Sequence, residues 1–395
     1  MKPTVSKYPF SKKYFVDTRT YNIPIVYYGG KPTIDPKSYD QYIHSVQNPV
    51  IKKNEPPKKI EKRKVDIELD IQSLDDLISL ANKVGVEYKL EPDIEYNIDL
   101  AMIKDLLPEM LSLKEMIGQE GLKTQVAHLI LFFSLHLNLQ NDDLLHTVID
   151  GAPGTGKTEF AQKIAKIYLK LGVLKRDIFK KVKRSDLIAG FLGQTALKTE
   201  EVISEVRGGV LFIDEAYSLG NNQGKESRDS FSKECVDILN QSLTEMRDNP
   251  EDYFILMIAG YKEDLKNSFF ALNDGLERRF TIHFSMDEYS SQDLIDIFKK
   301  KTREAGWEVG ENAITVELMD KNKHYFKYAG GDMENLFVKC KIAHSKNLIC
   351  GKNKNKRVLN EADIVEGLDI FIKNPTVGDR KPEDDSNAVW RNIYL

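Results

Sequence analysis

The sequence predicts an α/β fold in which a five-stranded parallel sheet is flanked by helices, with an N-terminal extension and an all-helical C-terminal lid. Between residues 116 and 285, near-continuous apolar strands alternate with helices, the pattern of a parallel sheet covered on both faces. A glycine-rich segment, GAPGTGKT, stands between the first of these strands and a helix. Beyond residue 286 the apolar residues follow a helical period, which predicts a separate helical domain.

The composition is that of an ordinary globular protein. Of 395 residues, 41% are hydrophobic and 30% charged, and the net charge of −4 argues against nucleic-acid binding by the chain as a whole. No signal-peptide region and no apolar run of membrane-spanning length are found, so we expect no membrane insertion. The cysteines form neither a CxxC pair nor a metal-like spacing, which fits a reducing, cytoplasmic compartment (Cys235, Cys340, Cys350).

Residues 1–64 form a basic arm. They contain 14 Lys and Arg against 5 Asp and Glu, and they are rich in Pro and Tyr without a sustained helical or strand period. We predict that this arm is mostly disordered, or docked on the body of the protein or on a partner.

A small lead-in module of α and β structure is predicted over residues 65–111. Apolar residues alternate from Val65 to Ile71 as in a strand, and a short amphipathic helix follows Ser73, a favourable N-cap. The next helical stretch is broken at Pro108.

Five strands and their helices make up the predicted nucleotide-binding domain, residues 112–285. The strand candidates are HTVIDG, FKKVKR, GGVLFIDEA, YFILMIAGY and RFTIHFSM. Between the third and fourth, the apolar residues of FSKECVDILNQSLTEMR recur every three or four positions, which indicates one face of a helix. Residues 286–372 are the predicted lid, and 373–395 a polar tail that ends in an apolar segment.

The segment GAPGTGKT matches the phosphate-binding pattern GxxxxGK[ST] in full. Its glycines let the backbone wrap around phosphates, and amide groups at the N-terminus of the following helix attract anionic oxygens. Lys157 is predicted to reach the β- and γ-phosphates, and the Thr158 hydroxyl to bind Mg²⁺. The predicted cofactors are therefore ATP and Mg²⁺, and the predicted nucleotide-binding residues are Gly151, Pro153, Gly154, Thr155, Gly156, Lys157 and Thr158.

Two acids, Asp214 and Glu215, end the buried strand VLFIDEA. Asp214 is predicted to hold Mg²⁺ through its water shell, and Glu215 to polarise the attacking water. Because a module that only binds nucleotide needs no general base, this pair predicts that ATP is hydrolysed.

Arg278 and Arg279 lie in GLERRF, immediately before the last strand of the domain. We interpret them as the source of an arginine finger that reaches the γ-phosphate bound by a neighbouring subunit. A finger supplied in trans requires a head-to-tail ring, so the sequence predicts a homo-oligomer.

These motifs, in this order, resemble those of AAA+ ATPases. More narrowly, GFLGQTALKTEEVISEVRGGVLFIDEAYSL, IAGYKEDL and GLERRF resemble the CbbX/CfxQ group, which includes red-type Rubisco activases and related bacterial secretion-system ATPases. The resemblance covers residues 112–350 and implies a hexameric ring whose ATP-driven movements pull on a client polypeptide in a central pore. It also implies that Ile117 and Gly118 lie near the adenine.

Two positions depart from the wider family. The fourth strand ends in IAGY where a polar sensor, often Asn, is common, so we assign no sensing role to Tyr261. The lid helix reads GGDMENL, which puts Glu334 where an arginine usually contacts the γ-phosphate. A carboxylate there would repel phosphate. Either Lys339 or Lys341 takes this role, or the lid is coupled more weakly to the nucleotide.

Phe191, Leu192 and Gly193 form an aromatic–aliphatic–glycine segment between the P-loop helix and the acidic strand. AAA+ unfoldases grip an extended chain with such loops, so the resemblance implies a pore loop, with Gly190 and Gly193 as pivots. The favoured hypothesis is an ATP-hydrolysing ring motor that remodels or partly threads an unknown protein client.

Two other functions stay open at this point. A nucleic-acid motor or loader is supported only by the basic, tyrosine-bearing arm and is opposed by the acidic ATPase body. A scaffold whose assembly is regulated by ATP fits the altered lid, and is opposed by a P-loop that is accompanied by Glu215 and Arg279.

Overall fold

The computed structural model describes residues 63–137, 145–191, 193–220, 230–248, 253–273 and 275–380, together with the backbone of an antiparallel hairpin formed by β1 (Ile25–Tyr28) and β2 (Lys31–Ile34). The chain divides into two compact units, residues 1–61 and 62–395, and everything below concerns the second. Most of the basic arm, Leu192 and the end of the tail lie outside the described residues.

The lead-in module contains a short parallel strand pair and three helices. Its elements are β3 (Arg63–Val65), α1 (Leu74–Lys83), β4 (Ile94–Tyr96), α2 (Leu100–Asp105) and α3 (Leu107–Lys114). Ser73 caps α1 in a capping box with Asp76, as predicted, and Pro108 stands in the first turn of α3, where no helical N–H is lost. The predicted strand from Val65 to Ile71 is wrong beyond Val65, because β4 offers only three residues for pairing.

A parallel sheet of five strands forms the centre of the molecule. The strands are β5 (Thr147–Gly151), β6 (Phe179–Val182), β7 (Val210–Ile213), β8 (Ile255–Gly260) and β9 (Ile282–Met286), in the order β6-β7-β8-β5-β9. This confirms the predicted fold class. In register, Asp150 at the end of β5 lies between Gly260 and Ser285. The carboxyl ends of all five strands therefore meet at one edge, where ligands bind in open α/β sheets.

Helices cover both faces of this sheet. They are α4 (Glu120–Ser134), α5 (Lys157–Lys170), α6 (Arg184–Leu187), α7 (Thr195–Glu205), α8 (Ser230–Asp248) and the short α9 (Lys262–Asp264). Along β8, Ile255 and Met257 join a core built with α1 to α5, whereas Leu256 and Ile258 join a second core built with α6 to α8. Burial on both faces explains why the inner strands β7 and β8 are continuously apolar. The helices of the lead-in module share the first core, so the module is packed into the nucleotide-binding domain.

The lid has a hydrophobic core of its own. Its elements are α10 (Ser291–Glu304), β10 (Glu308–Val309), α11 (Val316–Asn322), α12 (Ala329–Ile349), β11 (Val358–Leu359), α13 (Glu361–Ile372) and α14 (Pro375–Gly378). The expectation of an all-helical lid holds apart from β10 and β11, which pair in parallel over two residues each and are too short to leave a period in the sequence. None of the described helices is both long and apolar enough to cross a membrane.

A buried polar network joins α12 to the start of α13. The Asp363 carboxylate lies 2.9 Å from His344 Nδ1, and it accepts hydrogen bonds from Asn347 at 2.9 Å and Asn353 at 2.7 Å. Burial alone would raise the pKa of Asp363, but these hydrogen bonds and one from the Asn360 backbone lower it below its usual value. The network therefore stabilises the ionised carboxylate inside the lid.

Candidate active site

The loop between β5 and α5 has the backbone conformation of a phosphate-binding loop. Gly154 and Gly156 have φ angles of +76° and +94°, which side-chain-bearing residues rarely adopt. Helix α5 begins directly after Gly156, so its unpaired N–H groups and its positive dipole end lie at the loop. An anion placed there meets both backbone donors and a favourable field.

Lys157 is folded into this loop. Its Nζ donates to the carbonyl oxygens of Gly151 at 2.8 Å and Ala152 at 2.7 Å, and lies 5.5 Å from the centre of the Tyr261 ring. Burial lowers the pKa of Lys157, and the carboxylates of Asp214, Asp150 and Glu215 oppose that effect. The ammonium group can therefore exchange its carbonyl partners for phosphate oxygens without leaving the loop.

The side chains predicted to hold Mg²⁺ lie together. Thr158 Oγ1 donates to Asp214 Oδ2 at 3.2 Å, which joins the first turn of α5 to the end of β7. A hydroxyl and a carboxylate oxygen are the hard ligands that Mg²⁺ prefers, and it usually takes one or two of them from the protein beside phosphates and waters. Lys181 of β6 already brings a positive charge to the same oxygens, with its Nζ 2.6 Å from Asp214 Oδ2 and 3.2 Å from Thr158 Oγ1. The donor set thus fits a small cation.

Glu215 follows Asp214 with an exposed side chain and an unusual backbone. Its φ of +53° is in the left-handed region, which costs about 1 kcal/mol for a residue other than glycine. Tyr217 and Tyr261 stack beside it with ring centres 5.6 Å apart. Burial, with a smaller effect of Glu215, raises the pKa of Tyr217 to about 12, so its hydroxyl stays protonated. An exposed carboxylate beside a neutral, partly apolar wall is a suitable place for a general base.

A cavity of about 340 Å³ collects these groups at the carboxyl edge of the sheet. Its walls are Pro153, Gly154, Gly156, Lys157, Thr158, Glu159, Asp214, Glu215, Tyr217, Gly260 and Tyr261. The structure therefore places most of the predicted phosphate-binding residues, the predicted metal ligands and the predicted base around one space. Gly151 and Thr155 do not line this cavity but hold its wall in place. The Gly151 carbonyl accepts a hydrogen bond from Lys157, and the Thr155 hydroxyl donates to the Ala152 carbonyl.

Ile117 and Gly118 lie elsewhere, at the junction with the lid. Ile117 packs against the lid core, and a Cβ on Gly118 would be 3.1 Å from Asp293 in the first turn of α10. The neighbouring Gln119 side chain exchanges two hydrogen bonds with the Asp287 backbone, at 2.8 and 2.9 Å. The described structure thus makes this segment a connection between domain and lid, and its predicted contact with adenine stays a prediction.

Arg278 and Arg279 are not among the residues that line the 340 Å³ cavity. They form a single 3-10 turn before β9, with Arg278 exposed and Arg279 half-buried. Arg279 Nε donates to Asn240 Oδ1 of α8 at 2.6 Å, which fixes the direction of this side chain.

The loop that carries Phe191 is held at its base by hydrogen bonds between residues 187–189 and α7. Ala189 N–H donates to Thr195 Oγ1 at 3.2 Å, and Thr199 Oγ1 donates to the Leu187 carbonyl at 3.1 Å. Phe191 itself is 71% exposed, and a Cβ on either Gly190 or Gly193 would meet no described atom within 4 Å. The loop is therefore anchored at its base, and the described part of the chain leaves the Phe191 side chain largely exposed.

The lid position at which the resemblance implies an arginine is also exposed. Glu334 lies 3.4 Å from Lys301 on the outer side of α12, and Lys341 Nζ lies over the Phe337 ring at 4.5 Å. Neither Lys339 nor Lys341 lines the cavity among the described residues, so the structure gives no support to either lysine as a replacement for the missing arginine.

Lys181, Tyr217 and Tyr289 were missed by reasoning from sequence. Tyr289 donates from its hydroxyl to the Thr155 carbonyl at 2.8 Å, and burial raises its pKa to about 12. Of these three residues, only Lys181 could have been noticed in the sequence, because lysine is unusual within a strand of a sheet whose neighbouring strand is buried.

Comparison with known proteins agrees with this geometry. Residues 147–285 match the model of the ATPase family associated with various cellular activities (AAA). The chain is 35% identical over 326 residues to the cfxQ-like protein R730 of Acanthamoeba polyphaga mimivirus, covering 82% of this chain and 76% of that protein. It is 30% identical to stage V sporulation protein K of Bacillus subtilis (strain 168), covering 70% and 85%, and 31% identical to the CfxQ homolog of Pyropia yezoensis, covering 71% and 92%.

Proposed function

This chain belongs to the AAA family of ATPases, in its CfxQ-like group, and from that premise we propose that it is a ring-forming motor that remodels a protein client with the energy of ATP hydrolysis. A hexameric ring, dependence on Mg²⁺ and the gripping of a client by the Phe191 loop are parts of this proposal.

The observation that carries the proposal is the exposed Phe191 on an anchored loop. Burying a phenylalanine side chain contributes about 1.5–3 kcal/mol, and this residue forgoes most of that at 71% exposure. An apolar side chain that is kept exposed on a restrained loop is suited to contact with another molecule. Aromatic contact needs no particular partner sequence, so such a loop can grip many polypeptides.

The cavity supplies the parts needed to cleave ATP. Lys157 and the amide groups of α5 would bind the phosphates. Thr158 and Asp214 would hold Mg²⁺, which supplies charge to neutralise the phosphate oxygens. Glu215 would orient the attacking water and accept its proton. Arg278 and Arg279 lie off the cavity of their own chain, which supports their action on the nucleotide of a neighbouring subunit.

The test uses a protein trapped before hydrolysis and an unfolded probe. In the Glu215→Gln background with ATP, binding of fluorescein-labelled casein is measured by anisotropy for Phe191→Ala and for Leu197→Ala. Leu197 is the matched control, because it is a 67% exposed leucine on α7, the helix after the loop.

We expect Phe191→Ala to weaken casein binding about tenfold, the scale of a lost hot-spot contact, and Leu197→Ala to leave it unchanged. In the background with Glu215 intact, both variants should hydrolyse ATP at the wild-type rate. Equal casein binding by Phe191→Ala would contradict the gripping role. Stimulation of ATP hydrolysis by DNA in a salt-sensitive manner, without casein binding, would favour a nucleic-acid motor instead.

A further inference from the structure

Arg380, just after α14, is the centre of a buried contact that no motif indicated. Its side chain is 15% exposed and lies 2.7 Å from Asp332 Oδ2, whose side chain is 2% exposed. The same guanidinium donates to the Tyr325 carbonyl, and its Cζ lies 4.9 Å from the centre of the Tyr328 ring. Burying such a pair costs solvation free energy that only good geometry offsets, so its value is in fixing positions.

Asp332, in the first turn of α12, also binds the backbone at the start of that helix. Its Oδ2 also accepts a hydrogen bond from the Tyr328 N–H at 2.7 Å. One carboxylate oxygen therefore holds both the arginine that follows α14 and the backbone at which α12 begins.

The backbone of Tyr328 in turn lies directly on the P-loop. A Cβ on Gly154 would be 2.1 Å from the Tyr328 carbonyl oxygen and 2.6 Å from its carbon, so only glycine permits this approach. Gly330 N–H lies 3.5 Å from the Gly154 carbonyl oxygen. Arg380 is thus connected to the phosphate-binding loop through two residues, Asp332 and Tyr328.

A second cavity, of about 910 Å³, lies between the P-loop and the lid. Its walls include Pro153 and Thr155 of the loop and Lys323, Lys327 and Arg380 of the lid. Loss of the Arg380 contacts would free one wall of this space and the start of α12 together. If nucleotide binding must also order the lid, part of the binding free energy is used for that ordering, and the observed affinity for nucleotide falls.

We propose that Arg380 is a positioning residue that holds the lid against the P-loop and thereby sets the affinity for nucleotide. It acts through Asp332 and the backbone of Tyr328, where α12 begins. The proposal rests on nucleotide binding at the P-loop, and not on the remodelling of a client.

The test compares the full chain with Arg380→Met, Arg380→Lys and Asp363→Asn. Asp363→Asn is the matched control, because it removes another buried charged group of the lid that has no contact with the P-loop among the described residues. For each protein, the Kd of a fluorescent (mant) ADP, the KM and kcat for ATP and the thermal midpoint are measured.

We expect Arg380→Met to raise the Kd and KM about tenfold, within the usual range of coupling between sites, with kcat changed less than twofold. Arg380→Lys keeps the charge but loses the planar guanidinium with its several N–H donors. Its Kd should therefore lie between the Kd of the wild type and that of Arg380→Met. Asp363→Asn should lower the thermal midpoint and leave the Kd unchanged.

Two results would overturn the proposal. One is a wild-type Kd in Arg380→Met, and the other is an equal rise of the Kd in Asp363→Asn, which would make the effect one of general lid stability. A wild-type chain that fails to bind mant-ADP would instead contradict the proposed function itself.

Discussion

Substituting Lys181 by methionine tests whether this lysine competes with Mg²⁺ for its ligands. Lys181 Nζ contacts both Asp214 and Thr158, the pair predicted to hold the metal. A dication and an ammonium group cannot share one carboxylate oxygen at close range without strong repulsion. Metal binding therefore requires the lysine to move, and the lost contact reduces the apparent affinity for Mg²⁺.

The size of this effect follows from the exposure of the pair. The side chains of Lys181 and Asp214 are 39% and 21% exposed, so solvent screens their attraction in part. A pair of this kind contributes about 1 kcal/mol, at the upper end of the range for exposed ion pairs. Since 1.4 kcal/mol corresponds to a factor of ten, Lys181→Met should lower the half-saturating metal concentration about fivefold.

The assay titrates Mn²⁺ into protein with ADP and follows free Mn²⁺ by electron paramagnetic resonance, so that no turnover is needed. Lys180→Met is the matched control, because Lys180 neighbours Lys181 on β6 and pairs with Glu205 instead. If Lys181→Met needs as much metal as the wild type, or more, the competition does not exist. A weaker affinity for ADP with unchanged metal binding would mean that Lys181 contacts phosphate.

Two further predictions concern the base and the lid. Glu215→Gln should lower the rate of phosphate release by a factor of about 10²–10⁴ while mant-ATP still binds. Glu263→Gln, at an exposed acid of α9, should leave both the rate and mant-ATP binding unchanged. Equal losses of rate in the two variants would reject the assignment of Glu215 as the base. Asp363→Asn should lower the free energy of unfolding at pH 7 by about 2 kcal/mol, the scale of lost hydrogen bonds to a charged group, measured by urea titration. Folding lowers the pKa of Asp363 below its ordinary value of 3.8, so the carboxylate contributes its full stabilisation above pH 3.8. The difference in the free energy of unfolding between the wild type and Asp363→Asn should therefore shrink as the pH falls below 3.8. A difference that grows in acid would contradict the ionised state of this carboxylate.

Much of the fold could be predicted because its signals are local. The inner strands of the central sheet are short, mostly apolar runs, and the longer helices that cover it each show a period in their own residues. Where a strand depends on its partner, the prediction fails. In the described part of the chain no strand pairs with the alternating residues beyond Val65, and β10 and β11 pair over only two residues each.

The same distinction applies to the site. Lys157, Thr158, Asp214 and Glu215 belong to contiguous motifs, and the structure gathers them around one cavity. The contacts of Lys181 and Arg380 join segments that are far apart in the chain, 33 residues for Lys181 with Asp214 and 48 for Arg380 with Asp332. No spacing rule connects such pairs, so only the folded chain reveals them.

The lysines of β6 have a further consequence for the sheet as a whole. This strand ends the order β6-β7-β8-β5-β9, so one side of it has no partner strand among the described residues. An open edge is a template on which strands of other molecules can add, and lysines in its middle oppose that addition because each new strand would bring like charges together. Lys180 and Lys181 thus discourage fibre-like stacking of a chain whose sheet is otherwise among its most apolar parts. Variants that free the predicted metal ligands by removing Lys181 also remove one of these two charges, so they should precipitate sooner when the protein is concentrated.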